Sequence, residues 1–175
     1  MAAFSPRQVS WREWVALGSG VVAVGALFLP WTNLSATNQD AEEALRESPA
    51  GEVARNAFTT GFLAYAGPAL LLLAGVAMVL FGQNRKARIS GLPHLWLIAC
   101  AVTLVLMLLG WLAIDRQFDV DARALLQAGG VGIYGGVGRY VGLLCAAVSL
   151  AAAVWDVRLT GRRAPARTQR TTPRG

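Results

Sequence analysis

Three observations predict the fold class of this chain, an all-α membrane protein built as an antiparallel bundle of four transmembrane helices. Hydrophobic residues make up 55% of the 175-residue sequence and charged residues 15%, against about 25% charged residues in soluble domains. Residues 61–82 carry no charged side chain and, at about 1.5 Å per helical residue, are long enough to cross a hydrocarbon core of about 30 Å. The basic cluster Arg85-Lys86-Ala87-Arg88 follows directly, which is typical of a cytoplasmic exit from a membrane.

The predicted organisation is a single membrane domain followed by a tail. The domain covers residues 1–160, its spans lie at about residues 14–30, 61–82, 95–114 and 138–156, and a disordered basic cytoplasmic tail covers residues 161–175. The tail combines arginines with Pro, Thr and Gln and has almost nothing apolar to bury, which is the composition of disordered segments.

The first predicted span is uncharged over residues 14–29 and ends at Pro30-Trp31, where a tryptophan suits the membrane interface. A cleaved signal peptide is the alternative, because a positively charged region precedes the apolar run. That run is longer than the usual core of a signal peptide, and residues 34–36 make a poor cleavage site. We therefore expect a retained span.

The second span contains Gly67-Pro68 near its predicted outer end. Proline inside a helix removes one backbone hydrogen bond, so a kink is expected there, which membrane bundles tolerate. Internal packing is the favoured role of this kink, and a binding site is the alternative.

Two longer connections lie on the predicted outer side. The connection after the first span has helix-forming composition over residues 40–47, which Ser48-Pro49 terminates. The connection after the third span contains a short helical run at residues 122–128 and then a glycine-rich loop at residues 129–138. We expect two polar, partly helical external regions.

The distribution of Lys and Arg predicts the orientation. Eleven basic residues fall on the predicted inside: Arg7, Arg12, Arg85, Lys86, Arg88, Arg158, Arg162, Arg163, Arg167, Arg170 and Arg174. Five fall on the predicted outside: Arg46, Arg55, Arg116, Arg123 and Arg139. Because an excess of Lys and Arg marks the cytoplasmic side, both termini are predicted to be cytoplasmic, in a multi-pass protein of the plasma membrane.

The two halves of the chain share a layout, so a duplicated helical hairpin stays open as an alternative. One outward-running span ends near Trp31 and the other near Trp111, and each returning span runs into a basic cluster. Two spans per unit would make the repeats parallel, related by an axis along the membrane normal. Any four-span protein with this charge bias shows part of the same pattern.

No motif predicts a catalytic residue, a cofactor site or a metal site. Residues 130–135 match the dinucleotide fingerprint G-x-G-x-x-G in letters, but a membrane span follows them and the strand–helix context of that fingerprint is lacking. Asp115, Asp119 and Asp121 could meet a calcium ion but lack the spacing of a calcium loop. A glycine-rich loop and a solvated acidic loop are the favoured interpretations, and we expect no enzyme.

Small residues at one-turn spacing let helix backbones approach closely in a membrane. They are Gly138, Gly142 and Ala146 in the fourth span and Ala16 and Gly20 in the first. Internal packing is the favoured role, and docking of a partner's helix or self-association is the alternative. No charged residue is expected deep inside a span, which argues against ion-coupled transport.

The expected partners follow from the charge distribution. The net charge of +6 is concentrated in the predicted cytoplasmic segments, which favours anionic lipid at the tail, at about 1 kcal/mol per basic residue held near the surface. Nucleic acid is not expected. The main partners are the lipid bilayer and another membrane protein or a second copy.

Three short patterns carry a family resemblance. Phe28-Leu-Pro-Trp31, the run from Asn56 to Phe62, and the Gly-x-Gly-x-Tyr sequence before the fourth span resemble small bacterial four-span membrane proteins. The resemblance implies a bacterial plasma-membrane protein, and it implies no particular activity and transfers no functional residue. The function expected is that of a non-enzymatic accessory or scaffold subunit of an envelope complex, with a small channel or carrier component as the alternative.

Overall fold

The computed structural model describes residues 9–162. Their helices, in chain order, are α1 Trp11–Gly25, α2 Gln39–Glu47, α3 Ala50–Val53, α4 Ala57–Thr60, α5 Phe62–Phe81, α6 Arg85–Ile89, α7 Leu92–Leu112, α8 Val120–Ala128 and α9 Val137–Arg162, with 3₁₀ turns at Ala26–Phe28 and Ile114–Gln117. Their strands are β1 Thr32–Ala36, β2 Ala54–Arg55 and β3 Val131–Gly135.

The four long helices pack as an antiparallel ring in the order α1, α5, α7, α9, each mainly against its two neighbours. Two contacts along each of two pairs show that they are antiparallel. Gly20 of α1 lies against Leu72 of α5, and Gly75 of α5 lies against Ala16 of α1. The indole Nε1 of Trp96 in α7 donates to Ser149 Oγ in α9 at 3.2 Å, and Met107 of α7 lies against Gly142 of α9. The predicted antiparallel helical bundle is therefore present in the fold.

Small residues allow the close approach of α1 and α5. A Cβ added at Gly75 would lie 2.7 Å from the carbonyl oxygen of Ala16, and one at Gly20 would lie 2.6 Å from Leu72 Cα. In α9, Gly142 packs against the side chain of Met107 in the same way. These small-residue faces are thus occupied within the chain, as the internal-packing interpretation expects.

Three of the four bundle helices are long and apolar enough to cross a membrane: Phe62–Phe81, Leu92–Leu112 and the Val137–Leu159 part of α9. These segments agree with the second, third and fourth predicted spans, although α7 begins at Leu92 instead of residue 95. The helical part of α9 runs to Arg162, beyond the predicted end at residue 156 and into the first two residues of the predicted tail. Residues 163–175 lie outside the described part.

The first predicted span, residues 14–30, is not one continuous α-helix. Helix α1 covers 15 residues and passes into the 3₁₀ turn at Ala26–Phe28. Pro30 has no backbone N–H and limits further helix, and Trp31 Nε1 turns back to donate to the carbonyl oxygen of Ala26 at 2.6 Å. The helix shortens because the chain must turn here toward β1.

The all-α expectation is corrected by a small antiparallel sheet, with the strand order β2-β1-β3. Strand β1 belongs to the first long connection and β3 to the second, and they pair over five residues, from Thr32 opposite Gly135 to Ala36 opposite Val131. The sheet joins the two connections, which the sequence pattern treats as separate. We call this part of the molecule, residues 32–60 and 114–136, the cap.

The prediction of a glycine-rich loop at residues 129–138 was wrong, because five of these residues form strand β3. Gly130, with φ of +75°, turns the chain into the strand, and its carbonyl oxygen accepts from the backbone N–H of Thr37 at 2.8 Å. Gly136 has no room for a Cβ against the carbonyl of Pro30. These glycines allow the backbone of β3 to lie close to the backbone that follows α1.

The two helices predicted in the connections are confirmed. Helix α2 at Gln39–Glu47 begins at Asn38, whose side chain accepts from the backbone N–H of Ala41 at 2.7 Å. Helix α8 at Val120–Ala128 covers the second predicted run. Both helices pack beside the sheet.

Candidate functional site

The sheet end of the bundle is organised around a buried arginine. Arg139, in the first turn of α9, is 3% exposed. Its Nε donates to the carbonyl oxygen of Trp31 at 2.7 Å, its Nη1 to that of Gly110 at 2.8 Å, and its Nη2 to Thr32 Oγ1 at 3.4 Å. One side chain thereby joins the ends of α7 and α9 to the start of β1.

The backbone around Trp31 positions this arginine. The carbonyl oxygen of Trp31 also accepts from the N–H of Gly136 at 3.0 Å. The backbone N–H of Trp31 donates to the carbonyl oxygen of Arg55 at 2.7 Å. The indole ring is buried and lies against Gly138, where a Cβ would collide with it. The acceptor of Arg139 is therefore held rigidly between two strands and two helices.

A cavity of about 210 Å³ lies beside Arg139. Its walls come from the start of α5 and the last turns of α7, with Trp31 and Arg139 on the side toward α9. The lining includes Phe62, Leu63, Met107 and Ala113, so it is mostly apolar, and Arg116 also reaches it. Among the described residues, no acidic side chain lines this space. We call it the arginine cavity.

Aromatic rings surround the same end of the bundle. The ring of Phe62 meets that of Tyr65 edge-on with centroids 5.5 Å apart, and Trp111 meets Tyr140 at 4.9 Å. Phe62 is 65% exposed on the bundle surface. Amphipathic rings collect at the headgroup level of membrane proteins, which is the level that this belt would occupy.

A second concave surface lies on the cap. It has a volume of about 610 Å³ and runs between α2 and α8 over one face of the sheet. Most of its lining is apolar, from Leu34, Ala41, Ala44, Phe118, Ala122, Leu125, Leu126 and Val131. The charged residues in the lining are Asp40, Glu52 and Arg55. Leu125 is 74% exposed. We call this surface the cap groove.

At the opposite end of the bundle, two ion pairs with buried carboxylates link the helices. Arg12 Nη1 lies 3.0 Å from Asp156 Oδ1, linking the start of α1 to the last turns of α9. Arg88 Nη2 lies 2.6 Å from Glu13 Oε1, linking the α6–α7 region to α1. Both carboxylate side chains are 3% exposed. We call this the ion-pair end.

The segments weighed for nucleotide and calcium binding lie in the cap, and Val131 of the first lines the cap groove. The G-x-G-x-x-G stretch at residues 130–135 is itself mostly strand β3, where the dinucleotide fingerprint needs a turn between a strand and a helix. Asp119 and Asp121 are exposed, and the side chain of Asp115 lies outside the described part. No group of three or more His, Cys, Asp or Glu residues in the described chain could hold a metal ion.

Sequence reasoning missed the two features just described at the sheet end. Arg139 was counted only as a basic residue on the predicted outside, but it is buried because α7, α9 and β1 converge on it. Its position in the first turn of an apolar helix was the available signal, since a charge there has to find acceptors or water. The cap groove had no signal, because it forms only when β1 and β3 pair.

The chain matches no family model, no curated protein and no solved structure in the three comparisons made. The resemblance to small bacterial four-span proteins therefore stays a prediction.

Proposed function

We propose that this chain is a non-enzymatic accessory subunit of the plasma membrane that docks a larger envelope complex through its cap. In this proposal four helices cross the membrane, both termini are cytoplasmic, and the cap lies on the outer side. The observation that carries it is the cap groove, a mostly apolar surface on the connections outside the four long helices.

The four-span arrangement is supported by the place of α1 in the ring. The 15 residues of α1 and the three of the following 3₁₀ turn extend over about 28 Å, close to a hydrocarbon core of about 30 Å. Val21 and Val22 are more than half exposed on the outside of the bundle, where lipid would cover them. The Lys and Arg excess at the ion-pair end supports placing that end in the cytoplasm.

The docking role is supported by the exposure of large apolar groups around the groove. Leu125 and Val120 are 74% and 77% exposed on α8, which lies on the sheet and away from the bundle's lipid-facing sides. Contiguous apolar surface on a water-exposed region marks interaction sites. Among the charged residues of the groove, Asp40 and Glu52 outnumber Arg55, which favours a partner segment with basic residues beside its apolar face.

The test is affinity purification of the full chain from native membranes in mild detergent, comparing two variants. Leu125→Ser removes an apolar side chain from the groove, whereas Tyr134→Ser removes an exposed ring from the cap outside the groove lining. Wild type and Tyr134→Ser should each retain a larger partner in fixed proportion, and Leu125→Ser should lose it. Repeated recovery of the wild-type chain alone would contradict the proposal.

The competing proposal, a small channel or carrier, would use the Pro68 region and the glycine-rich segment as a gate. Pro68 is fully buried, and Thr103 Oγ1 of α7 donates to the carbonyl of Gly67 at 3.3 Å. Residues 131–135 are hydrogen-bonded as strand β3. The Pro68 region is held by packing and residues 131–135 by strand pairing, so we favour the accessory role. Solute flux above that of empty vesicles, measured after reconstitution, would reverse this preference.

A further inference from the structure

The arginine cavity contains a buried positive charge without a negative partner in the described chain. Arg139 is 3% exposed, and its three acceptors are two carbonyl oxygens and a hydroxyl. The ion pairs found among the described residues involve Arg12, Arg46 and Arg88. Burying a charge is costly unless it is paired and hydrogen-bonded, and neutral acceptors compensate it less than an anion does.

The ion-pair end provides the internal comparison. There the arginines Arg12 and Arg88 each meet a buried carboxylate at 3.0 Å or less. At the sheet end, Arg139 is as buried as those carboxylates. It lines a cavity, and no described acidic side chain lines that cavity with it. Among the described residues, the buried carboxylates at the ion-pair end therefore have basic partners, whereas Arg139 at the sheet end has neutral acceptors.

Two further features make the cavity electropositive. Arg116 lines it and is exposed at its mouth. The 20-residue helix α5 begins at its wall, and its N-cap residue Gly61 offers no side-chain cap, so first-turn N–H groups and the positive end of the helix dipole face this region. Of the five N–H donors of a guanidinium, Arg139 uses three on the protein, which leaves two.

The space and its walls indicate the kind of ligand. A volume of about 210 Å³ is many times the roughly 10–15 Å³ that one water needs, so a polyatomic anion fits. Arginine forks match the oxygen geometry of phosphate. Phe62, Leu63 and Met107 in the lining, together with the aromatic belt around this end, suit an anion that sits at the headgroup level of a bilayer.

We propose that the arginine cavity binds a phosphate group through Arg139 and Arg116, supplied by a lipid headgroup or by free phosphate. This inference is independent of the docking role of the cap, because the cavity and the cap groove share no lining residue.

The experiment uses the full chain in a detergent without phosphate and measures saturable binding by thermal stabilisation and by native mass spectrometry. The probes are inorganic phosphate, a short-chain phosphatidylglycerol and the carboxylate laurate, with chloride at matched ionic strength as the blank. Stabilisation by phosphatidylglycerol alone assigns the site to a lipid headgroup, and stabilisation by inorganic phosphate as well assigns it to phosphate from either source. Binding of laurate but of neither phosphate probe would overturn the assignment, as would no saturable binding at all.

Three variants test the residues. Arg116→Gln removes the exposed ligand and should weaken binding of the phosphate probe at least tenfold, while the fold is kept. Arg139→Gln should abolish binding, and if it fails to fold, Arg116→Gln still decides the question. Arg46→Gln makes the same charge change on the cap, where Arg46 pairs with Glu42 at an exposed site, and should bind as wild type does. Equal affinity in Arg116→Gln and wild type would overturn the proposal.

Discussion

Glu13 connects three parts of the ion-pair end through one carboxylate. Its Oε2 accepts from the backbone N–H of Ser10 at 2.9 Å, and its own N–H donates to Ser10 Oγ, so the two residues form the capping box of α1. Its Oε1 accepts from Arg88. A single acidic residue thus begins a bundle helix and ties it to the connection between α5 and α7.

Replacing this carboxylate should destabilise the protein strongly. Glu13→Ala leaves the Ser10 cap on the backbone N–H of residue 13 in place but removes the carboxylate that accepts from the Ser10 N–H. It also leaves Arg88 without its anion, so the expected loss in the free energy of unfolding is about 2–3 kcal/mol. Equilibrium unfolding of the detergent-solubilised chain in increasing sodium dodecyl sulfate measures this loss.

The matched control is the ion pair between Arg46 and Glu42 on the cap. Its length is the same, 2.6 Å, but its side chains are 75% and 57% exposed. Because exposed pairs contribute little, Glu42→Ala should change the free energy of unfolding by less than about 0.5 kcal/mol. Similar losses in the two variants would mean that Glu13 is not buried as described.

At the scale of elements, small residues explain the close crossing of α1 and α5. A Cβ at Gly75 would lie 2.7 Å from Ala16 O and 2.9 Å from Leu17 Cα, both backbone atoms that cannot rotate away. A larger side chain at Gly75 or Gly20 would therefore force α1 and α5 apart.

Gly75→Ala should destabilise the bundle by about 1–3 kcal/mol through overpacking, despite the better helix propensity of alanine. Gly18→Ala on α1 is the control, because a Cβ at Gly18 meets nothing within 4 Å, and it should be neutral or stabilising by up to about 1 kcal/mol. The same unfolding titration compares them. A neutral Gly75→Ala would show that α1 is not packed on α5 in this way.

The β1–β3 pair is the element that converts two connections into one cap. Its residues are separated by roughly a hundred positions in the sequence, and Arg139 donates to Thr32 and Trp31 at its edge. Pairing of the strands, closure of the cap groove and burial of Arg139 are therefore parts of one structural event.

At the scale of the whole molecule, the described fold places both long connections at one end and the basic connection between α5 and α7 at the other. In a background with Cys100→Ala and Cys145→Ala, we expect Glu47→Cys and Gln127→Cys to react with an impermeant thiol reagent in intact cells. Asn84→Cys should react only after the membrane is opened.

A reporter on the N-terminus completes this topology test. If α1 crosses the membrane as the fourth span, the reporter lies in the cytoplasm, on the same side as Asn84→Cys. A reporter outside, together with an outward cap, would mean that α1 lies in the bundle without crossing the bilayer. Labelling of Asn84→Cys in intact cells would contradict the proposed orientation.

The sequence by itself determined the helices that depend on local composition. The apolar stretches of α5, α7 and α9 could be located because the length and apolarity needed in lipid are properties of a contiguous segment. Helices α2 and α8 could be located for a similar reason, since their breakers and flanking residues lie within a few positions of them.

Tertiary structure alone decided what Arg139, Glu13 and the glycine-rich segment do. From the sequence, Arg139 is an external charge and residues 131–135 are part of a loop; in the structure, β1, distant in sequence, lies beside both. The partner of Glu13, Arg88, lies 75 positions away in the sequence. The burial of a charge and the pairing of a strand depend on neighbours supplied from elsewhere in the chain, so no local pattern of residues contains them.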